Sequence, residues 1–202
     1  MDNVWDLYKS GKSIGEIAAR LELDPATVEA MIIDKKLTSL VSHPAKEVTL
    51  LEEIMVMGKA QRLEFIEDLS KEEIHTLENE IKLLTSKENM NYEDIVSIVW
   101  IIGELKLVNL SEFLCRHSSS NNGNIQRIVY SSMGKLLNDR FVPYLKMGCK
   151  SNGVQVRMYA IKSLSKYDFD HKNKFFMDLF KKETNMRNQD IIKLILEEVN
   201  HG

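Results

Sequence analysis

Residues 124–136 read NIQRIVYSSMGKL, and residues 154–166 read VQVRMYAIKSLSK. When the two stretches are aligned at a spacing of 31 positions, apolar side chains fall at the same points. An earlier copy begins near residue 94. The apolar pair Ile98 and Ile102 of that copy is followed 31 residues later by Val129 and Met133, and 31 residues later again by Ala160 and Leu164. Because residues four apart lie on one face of a helix, this spacing predicts a repeated helix.

Each repeat also contains a second apolar group, which predicts a second helix. These groups are Phe113-Leu114, Tyr144-Leu145 and Phe175-Phe176, and a partial fourth copy places Ile191 and Ile195 in register. Breaks rich in Ser, Asn and Gly separate the repeats at residues 118–124 and 150–153. One hairpin cannot bury its apolar stripe alone. The sequence therefore predicts an all-α protein that ends in a short α-solenoid.

The N-terminal residues carry helix start and stop signals at short intervals. Gly11 can end a helix over residues 4–9. Ser13 and Glu16 form a capping box for the next helix, in which each side chain bonds a backbone N–H at the helix start. The apolar face of this second helix is expected to contain Ile17, Ala18 and Leu21.

A third helix follows after the short turn at residues 22–24. Asp24 is placed as its N-cap and Pro25 as its first residue, and we expect it to extend to about Lys36. Its predicted apolar face is Val28, Met31 and Ile32. Two short helices joined by a three-residue turn are typical of a helix-turn-helix.

A DNA-binding helix-turn-helix would place the helix from Pro25 in a major groove. The residues predicted to contact nucleic acid are Lys12, Arg20, Ala26, Thr27, Glu29, Ala30, Lys35 and Lys36, with Lys9 and Ile33 beside them. No Arg, Asn or Gln stands among the outward positions of that helix, and the segment is net acidic. A helical hairpin used for packing or for protein contacts is therefore the alternative interpretation.

The middle of the chain predicts acidic connecting helices. Residues 46–90 carry 6 basic and 11 acidic side chains, and Ser70 with Glu73 forms a second capping box. Pro44 biases His43 away from helical angles, so both are expected in a surface linker. The predicted organisation is a helix-turn-helix module at 1–45, connecting helices at 46–90 and a repeat domain at 91–202.

The quoted stretches carry a resemblance to known families. Residues 124–136 and 154–166 look like HEAT-like repeats of the phycobilisome-lyase type. Residues 7–33 resemble the helix-turn-helix near the C-terminus of some RecQ-family DNA helicases. This order of modules is similar to the accessory tail of such helicases, which implies contact with DNA. The chain has no G-x-x-x-x-G-K-[ST] phosphate loop, so it lacks the motor that unwinds DNA.

Positive charge is concentrated in the repeats. Residues 125–186 carry 12 basic and 5 acidic side chains, whereas the whole chain has a net charge of −3. If these cations converge, they form a groove suited to a phosphate backbone; if they do not, they are a solvated surface. The predicted groove residues are Arg127, Lys135, Arg140, Lys146, Lys150, Arg157, Lys162 and Lys166.

The sequence shows no catalytic constellation and no close-spaced metal pair. Cys115 and His117 lie close together in the sequence, but the sequence indicates no third residue that would orient the histidine for catalysis. Trp100 and Tyr159 could stack on a base, although aromatic residues in repeat helices are more often packing residues. Cys115 and Cys149 are expected to be reduced thiols, and neither a cofactor nor a metal is expected.

The N-terminus is acidic, and no apolar run approaches the roughly 18 residues of a membrane span. We therefore expect a cytoplasmic protein. Its predicted function is a non-catalytic adaptor that binds DNA, or alternatively RNA, through the helix-turn-helix and the basic groove. A protein-binding scaffold without DNA contact is the alternative. A transcription regulator, the third interpretation, would need dimerisation, and no leucine-zipper heptad is present.

Overall fold

A computed structural model describes residues 3–41, 48–86 and 90–201, with the backbone alone at 39–41 and 199–201. Within these ranges the chain forms thirteen α-helices and two 3-10 helices and no β-strand, which confirms the all-α prediction. His43 and Pro44, predicted as linker residues, lie outside the described residues. The chain divides into two compact units, Met1–Ile98 and Val99–Gly202. The predicted connecting helices belong to the first unit.

The first unit is built from seven helices, the last of which continues past the unit boundary. They are α1 (Val4–Lys9), α2 (Ile14–Leu21), α3 (Pro25–Val41), α4 (Leu50–Val56), α5 (Lys59–Glu67), α6 (Lys71–Thr85) and α7 (Tyr92–Glu104). Capping boxes begin α2 at Ser13 and α6 at Ser70, as predicted. The predicted helix over 25–36 is longer than expected, because α3 continues to Val41.

Helices α1, α2 and α3 share one core. Its buried side chains are Val4, Leu7, Tyr8, Ile17, Ala18, Val28 and Ile32. Met31, predicted to lie on the buried face of α3, is 48% exposed, so that prediction is wrong. The two short helices α1 and α2 cover only the narrow stripe through Val28 and Ile32, and Met31 lies beside that stripe.

The acidic segment forms three separate helices. Leu51 and Ile54 of α4 and Leu77 and Ile81 of α6 are buried where these two helices pack. In α5, Leu63 is 41% exposed, Phe65 is half-buried and Ile66 is buried.

The second unit repeats one pattern of helices. Its further helices are α8 (Ser111–His117), α9 (Gly123–Leu136), α10 (Val142–Gly148), α11 (Val154–Leu164), α12 (Lys172–Lys182) and α13 (Met186–His201). The 3-10 helix Val108–Leu110 precedes α8, and its counterpart Asp139–Phe141 precedes α10. The bounds of each 3-10 helix and of the α-helix after it differ by 31 residues between the two copies.

The predicted repeat positions in the first helix of each pair are buried, whereas Tyr144, Phe175 and Ile191 of the second predicted groups are half-buried. Ile98, Ile102, Val129, Met133, Ala160 and Leu164 are all 0% exposed. Two glycine–serine contacts recur at the same spacing: a Cβ on Gly103 would lie 2.4 Å from Ser132 Oγ, and one on Gly134 would lie 2.5 Å from Ser163 Oγ. Glycine is therefore needed where each helix approaches the next, because any side chain would overlap the serine.

Candidate functional site

The turn between α2 and α3 consists of residues 22–24, the three residues that the sequence predicted. Glu22 adopts a left-handed conformation with φ of 55°, and Asp24 Oδ2 accepts a 2.9 Å hydrogen bond from the Ala26 N–H. Left-handed backbone is uncommon for a residue with a side chain, and here it turns the chain sharply between the two helices. This arrangement exposes the outer face of α3.

All but one of the predicted nucleic-acid residues are exposed to solvent. Lys12, Arg20, Ala26, Thr27, Glu29, Ala30 and Lys35 are exposed. Lys36 is half-buried; its Nζ lies 3.2 Å from Asp94 Oδ1 and 5.0 Å from the centre of the Tyr8 ring. The ammonium group of Lys36 is therefore held against α1 and α7 of the first unit, and it does not project toward solvent as a phosphate contact would.

The outer face of α3 is apolar and acidic. Ala26, Ala30 and Leu37 are exposed there, and Glu29 is the charged residue next to them. Glu22, also exposed, adds a carboxylate at the N-terminal end of α3. Acidic side chains at this end oppose the approach of phosphate, which the helix dipole alone would favour.

The predicted groove cations lie in α9, α10 and α11 and in the segments beside them, and several are neutralised. Lys135 bonds Glu104, Arg140 lies 2.7 Å from Glu112, and Arg157 bonds Glu183. Three of the eight predicted cations thus contact carboxylates, which removes part of the positive field that the charge count implied.

Other members of the predicted groove bond neutral groups. Lys146 Nζ lies 4.1 Å from the centre of the Phe169 ring. Lys166 Nζ donates to the Gly134 carbonyl at 3.2 Å. Arg127 donates to Asn124 Oδ1 at 2.6 Å and lies over the half-buried Tyr159 ring. Lys150 and Lys162 are exposed.

The structure brings Lys150 and Arg157 together at one pocket of about 650 Å³ in the second unit. We call it the α12 pocket. Its lining residues are Cys149, Lys150, Ser151, Asn152, Arg157, Phe175, Asp178, Leu179, Lys182, Glu183 and Thr184. Cys149 and Leu179 are buried and Phe175 is half-buried, whereas Lys150 and Lys182 are exposed. The pocket therefore combines apolar side chains with exposed charged residues of both signs, Lys150, Lys182 and Asp178.

Arg157 and Glu183 form one wall of the α12 pocket. Arg157 Nε and Nη2 donate to the two Glu183 oxygens at 2.8 Å and 2.7 Å. The backbone N–H groups of Thr184 and Asn185 and the Asn188 side chain also donate to this carboxylate. These donors, with Arg157 first, lower the pKa of Glu183 to about 2. The pair is saturated by internal bonds and acts as a rigid wall.

No relative is identified. Comparisons with family models, with curated proteins and with solved structures yield no match for this chain. The resemblance to HEAT-like repeats and to helicase tails therefore stays a prediction, and the candidate site depends on its own geometry.

Both thiols are buried, and the neighbouring His117 is half-buried. Burial raises the pKa of Cys149 to about 12 and is also the main cause of a raised pKa at Cys115. Burial lowers the pKa of His117, which packs 4.4 Å from the Phe113 ring. Thiols of raised pKa are poor nucleophiles, because the thiolate is the reactive form.

The described residues contain neither a metal-ligand cluster nor a membrane-spanning helix. Within residues 3–41, 48–86 and 90–201, no group of three or more His, Cys, Asp or Glu side chains has the arrangement of a metal site. In the same part of the chain, no helix has both the length and the apolar character needed to cross a membrane.

Sequence reasoning missed Glu183, Lys182 and Asp178, which help to line the α12 pocket. Glu183 lies 26 residues after Arg157, and this spacing is unrelated to the 31-residue period. No local motif in the sequence marks the contact, because it joins the end of α12 to the start of α11.

Proposed function

We propose that this protein is a non-catalytic binding adaptor whose α12 pocket holds an acidic, partly apolar segment of a partner protein. The observation that supports this proposal is the lining of the pocket: Cys149, Phe175 and Leu179 offer apolar contact, and Lys150 and Lys182 stand at its edge. A volume of about 650 Å³ lies in the ordinary range for binding pockets.

The charge of the α12 pocket selects for an acidic ligand. Arg157 and Glu183 neutralise each other, so the remaining charges among the described lining residues are Lys150, Lys182 and Asp178, of which Asp178 lies 3.8 Å from Lys181. A carboxylate of the partner would be attracted to the two lysines, while an adjacent Leu or Phe side chain would cover Phe175 and Leu179.

We further infer that the second unit is a short solenoid of HEAT-like helix pairs. The 31-residue offset between its paired helices and the recurring Gly103–Ser132 and Gly134–Ser163 contacts support this inference. In a solenoid each repeat contacts its neighbours, so a pocket formed by the last helix pairs is a natural place for an extended ligand.

A peptide selection against the full-length chain tests the proposed function. From a random peptide library we expect enrichment of sequences that place Asp or Glu next to Leu, Phe or Trp. The double variant Lys150→Glu/Lys182→Glu should weaken binding of an enriched peptide by at least about tenfold, which corresponds to about 1.4 kcal/mol.

The matched control is Lys162→Glu/Lys174→Glu, which changes the net charge equally at two exposed lysines that do not line the pocket. This control should bind the enriched peptide like the wild type. Selection of no acidic peptide, or equal losses in both double variants, would contradict the proposal.

Nucleic-acid binding through α2 and α3 is the second candidate function. The left-handed Glu22 turn and the exposed Lys12, Arg20 and Lys35 favour it. Titration with duplex and single-stranded DNA at two salt concentrations tests this candidate, because phosphate contacts lose affinity steeply as salt rises. Salt-sensitive binding that Arg20→Glu/Lys35→Glu abolishes, and that Lys150→Glu/Lys182→Glu leaves intact, would establish it.

A further inference from the structure

The outward side of α5 places an apolar side chain beside two carboxylates. It consists of the residues at positions i, i+3, i+4 and i+7 of one helix face: Ala60, Leu63, Glu64 and Glu67. All four are exposed, whereas Phe65 is half-buried and Ile66 is buried on the other side of the helix. We call this surface the α5 face. Its largest apolar member is Leu63.

The carboxylates of the α5 face are available to a partner. Neither Glu64 nor Glu67 forms a side-chain hydrogen bond or an ion pair with another residue that the structure describes. Lys59 at the start of α5 and Asp68 just after its end are also exposed, and their opposite charges offset each other. An ion pair with Glu64 or Glu67 would therefore break no bond inside the chain.

The α12 pocket offers the complementary groups. Lys150 and Lys182 are exposed beside the apolar side chains of the pocket, and their ammonium groups have no bonded partner among the described residues. The remaining carboxylate of the lining, Asp178, lies 3.8 Å from Lys181. One leucine with two carboxylates thus matches two lysines beside apolar side chains, in composition and in sign of charge.

The two units carry opposite net charges. Residues 1–98 contain 11 basic and 20 acidic side chains, and residues 99–202 contain 16 basic and 10 acidic ones. Net charges of −9 and +6 follow for the first and the second unit. The first unit of one copy is therefore attracted to the second unit of another copy, whereas two like units repel each other.

Leu83 and Leu194 are more exposed than Leu63 but lack this combination of charges. Leu83 lies three residues after Glu80, whose carboxylate already accepts a 2.7 Å hydrogen bond from the Leu51 N–H. Leu194 lies in the positively charged second unit, directly after the exposed Lys193. The α5 face combines an exposed leucine, two unbonded carboxylates and a negatively charged unit.

We propose that the α5 face of one copy binds in the α12 pocket of a second copy of this chain. Leu63 covers the apolar side chains of the pocket, and Glu64 and Glu67 pair with its two exposed lysines. This proposal rests on the proposed function, because it names the partner whose acidic segment enters the pocket. Each copy offers one α5 face and one α12 pocket, so copies associate head to tail, or as a twofold pair when both contacts form at once.

Sedimentation velocity of the full-length chain over a range of concentrations tests the association. At low salt the mean mass of the wild type should rise with concentration, and high salt should reverse the rise because it screens exposed charges. Two double variants, Glu64→Lys/Glu67→Lys and Lys150→Glu/Lys182→Glu, should each weaken the association by at least about tenfold, since each places like charges together.

The matched control for the α5 face is Glu29→Lys/Glu53→Lys. It changes the net charge by the same amount at two exposed carboxylates of α3 and α4, outside the α5 face. This control should associate like the wild type, and circular dichroism verifies that each variant is folded.

A mixture of the two charge-reversed variants tests whether these two surfaces meet. The first variant has lysines on both surfaces, and the second has glutamates on both surfaces, so neither should associate with itself. In the mixture, every α5 face finds a pocket of opposite charge on the other variant. The association should therefore return when the two variants are combined.

Binding of a selected acidic peptide separates failure of this proposal from failure of the proposed function. A wild type that stays monomeric at every concentration, while the peptide binds the α12 pocket, would overturn self-association and leave the proposed function intact. If no acidic peptide is selected either, both are contradicted. Association that survives charge reversal at either surface, or a mixture of the variants that stays monomeric, would also overturn the proposal.

Discussion

Replacing Glu183 with Gln should destabilise the second unit, because it leaves Arg157 without its carboxylate. The Glu183 side chain is 1% exposed and that of Arg157 is 15% exposed. The internal donors lower the pKa of Glu183 from its ordinary 4.5 to about 2. Each pKa unit corresponds to about 1.4 kcal/mol, so the charged form contributes about 3 kcal/mol to folding at neutral pH. We expect Glu183→Gln to lose most of this amount.

The assay is urea unfolding followed by tryptophan fluorescence. The chain has two tryptophans, Trp5 and Trp100, one in each unit. In a Trp5→Phe background the signal reports the second unit alone. Glu112→Gln is the matched control, since Glu112 pairs with Arg140 but is 67% exposed. Its free energy of unfolding should change by only about 0.5 kcal/mol, because water screens an exposed pair.

The pH dependence provides a second test of the same reasoning. A carboxylate whose pKa is lowered by folding stabilises the protein above its ordinary pKa, and this contribution is lost as pH falls through the folded value. The difference between wild type and Glu183→Gln should therefore be constant at neutral pH and shrink between about 4.5 and about 2. A loss below about 1 kcal/mol at pH 7, or a difference that does not depend on pH in the acid range, would refute the argument.

Four further predictions concern packing, helix propensity, capping and thiol burial. Gly134→Ala should destabilise the second unit by about 1–3 kcal/mol, since its Cβ would meet Ser163 at 2.5 Å. Gly15→Ala, a helical glycine with no neighbouring atom within 4 Å, should instead stabilise by up to about 1 kcal/mol in the same urea assay. Ser13→Ala removes the capping box of α2 and should destabilise the first unit by about 1 kcal/mol, monitored by Trp5. Cys149, 1% exposed with a pKa of about 12, should react with a thiol reagent only as the second unit opens, and a rapid reaction in the native state would contradict its burial.

Helix positions and the repeated core could be predicted because local signals determine them. The capping box at Ser13 and the proline at Pro25 act within a few residues of the helix start. Val129 and Ala160 are equivalent positions of successive repeats, so the 31-residue spacing indicates that both are buried. Met31 could not be placed correctly, because its exposure depends on how much of α3 the two short helices α1 and α2 cover. That coverage depends on tertiary packing, and the apolar spacing within one helix does not show how much of the helix its neighbours cover.

The pairing of the charged side chains could be predicted only in part. Glu104 and Lys135 occupy the same position in successive repeats, so stacking brings opposite charges together at the 31-residue spacing. The next position in this row is Lys166, which would meet the like charge of Lys135 and bonds the Gly134 carbonyl instead. Arg157 and Glu183 are 26 residues apart, so their contact does not follow the 31-residue spacing and the repeat pattern does not predict it.

These pairings change what the positive segment can attract. A count of 12 basic and 5 acidic side chains predicts a strong field along residues 125–186. Three cations of the predicted groove are instead bound to carboxylates, and one of those carboxylates, Glu183, is fully buried. What remains at the α12 pocket is two exposed lysines and one exposed carboxylate, Asp178, beside apolar side chains. A long polyanion needs many cations in a row, whereas one carboxylate next to an apolar side chain needs only these two. A short acidic segment of a protein therefore matches the remaining charge better than a nucleic-acid backbone does.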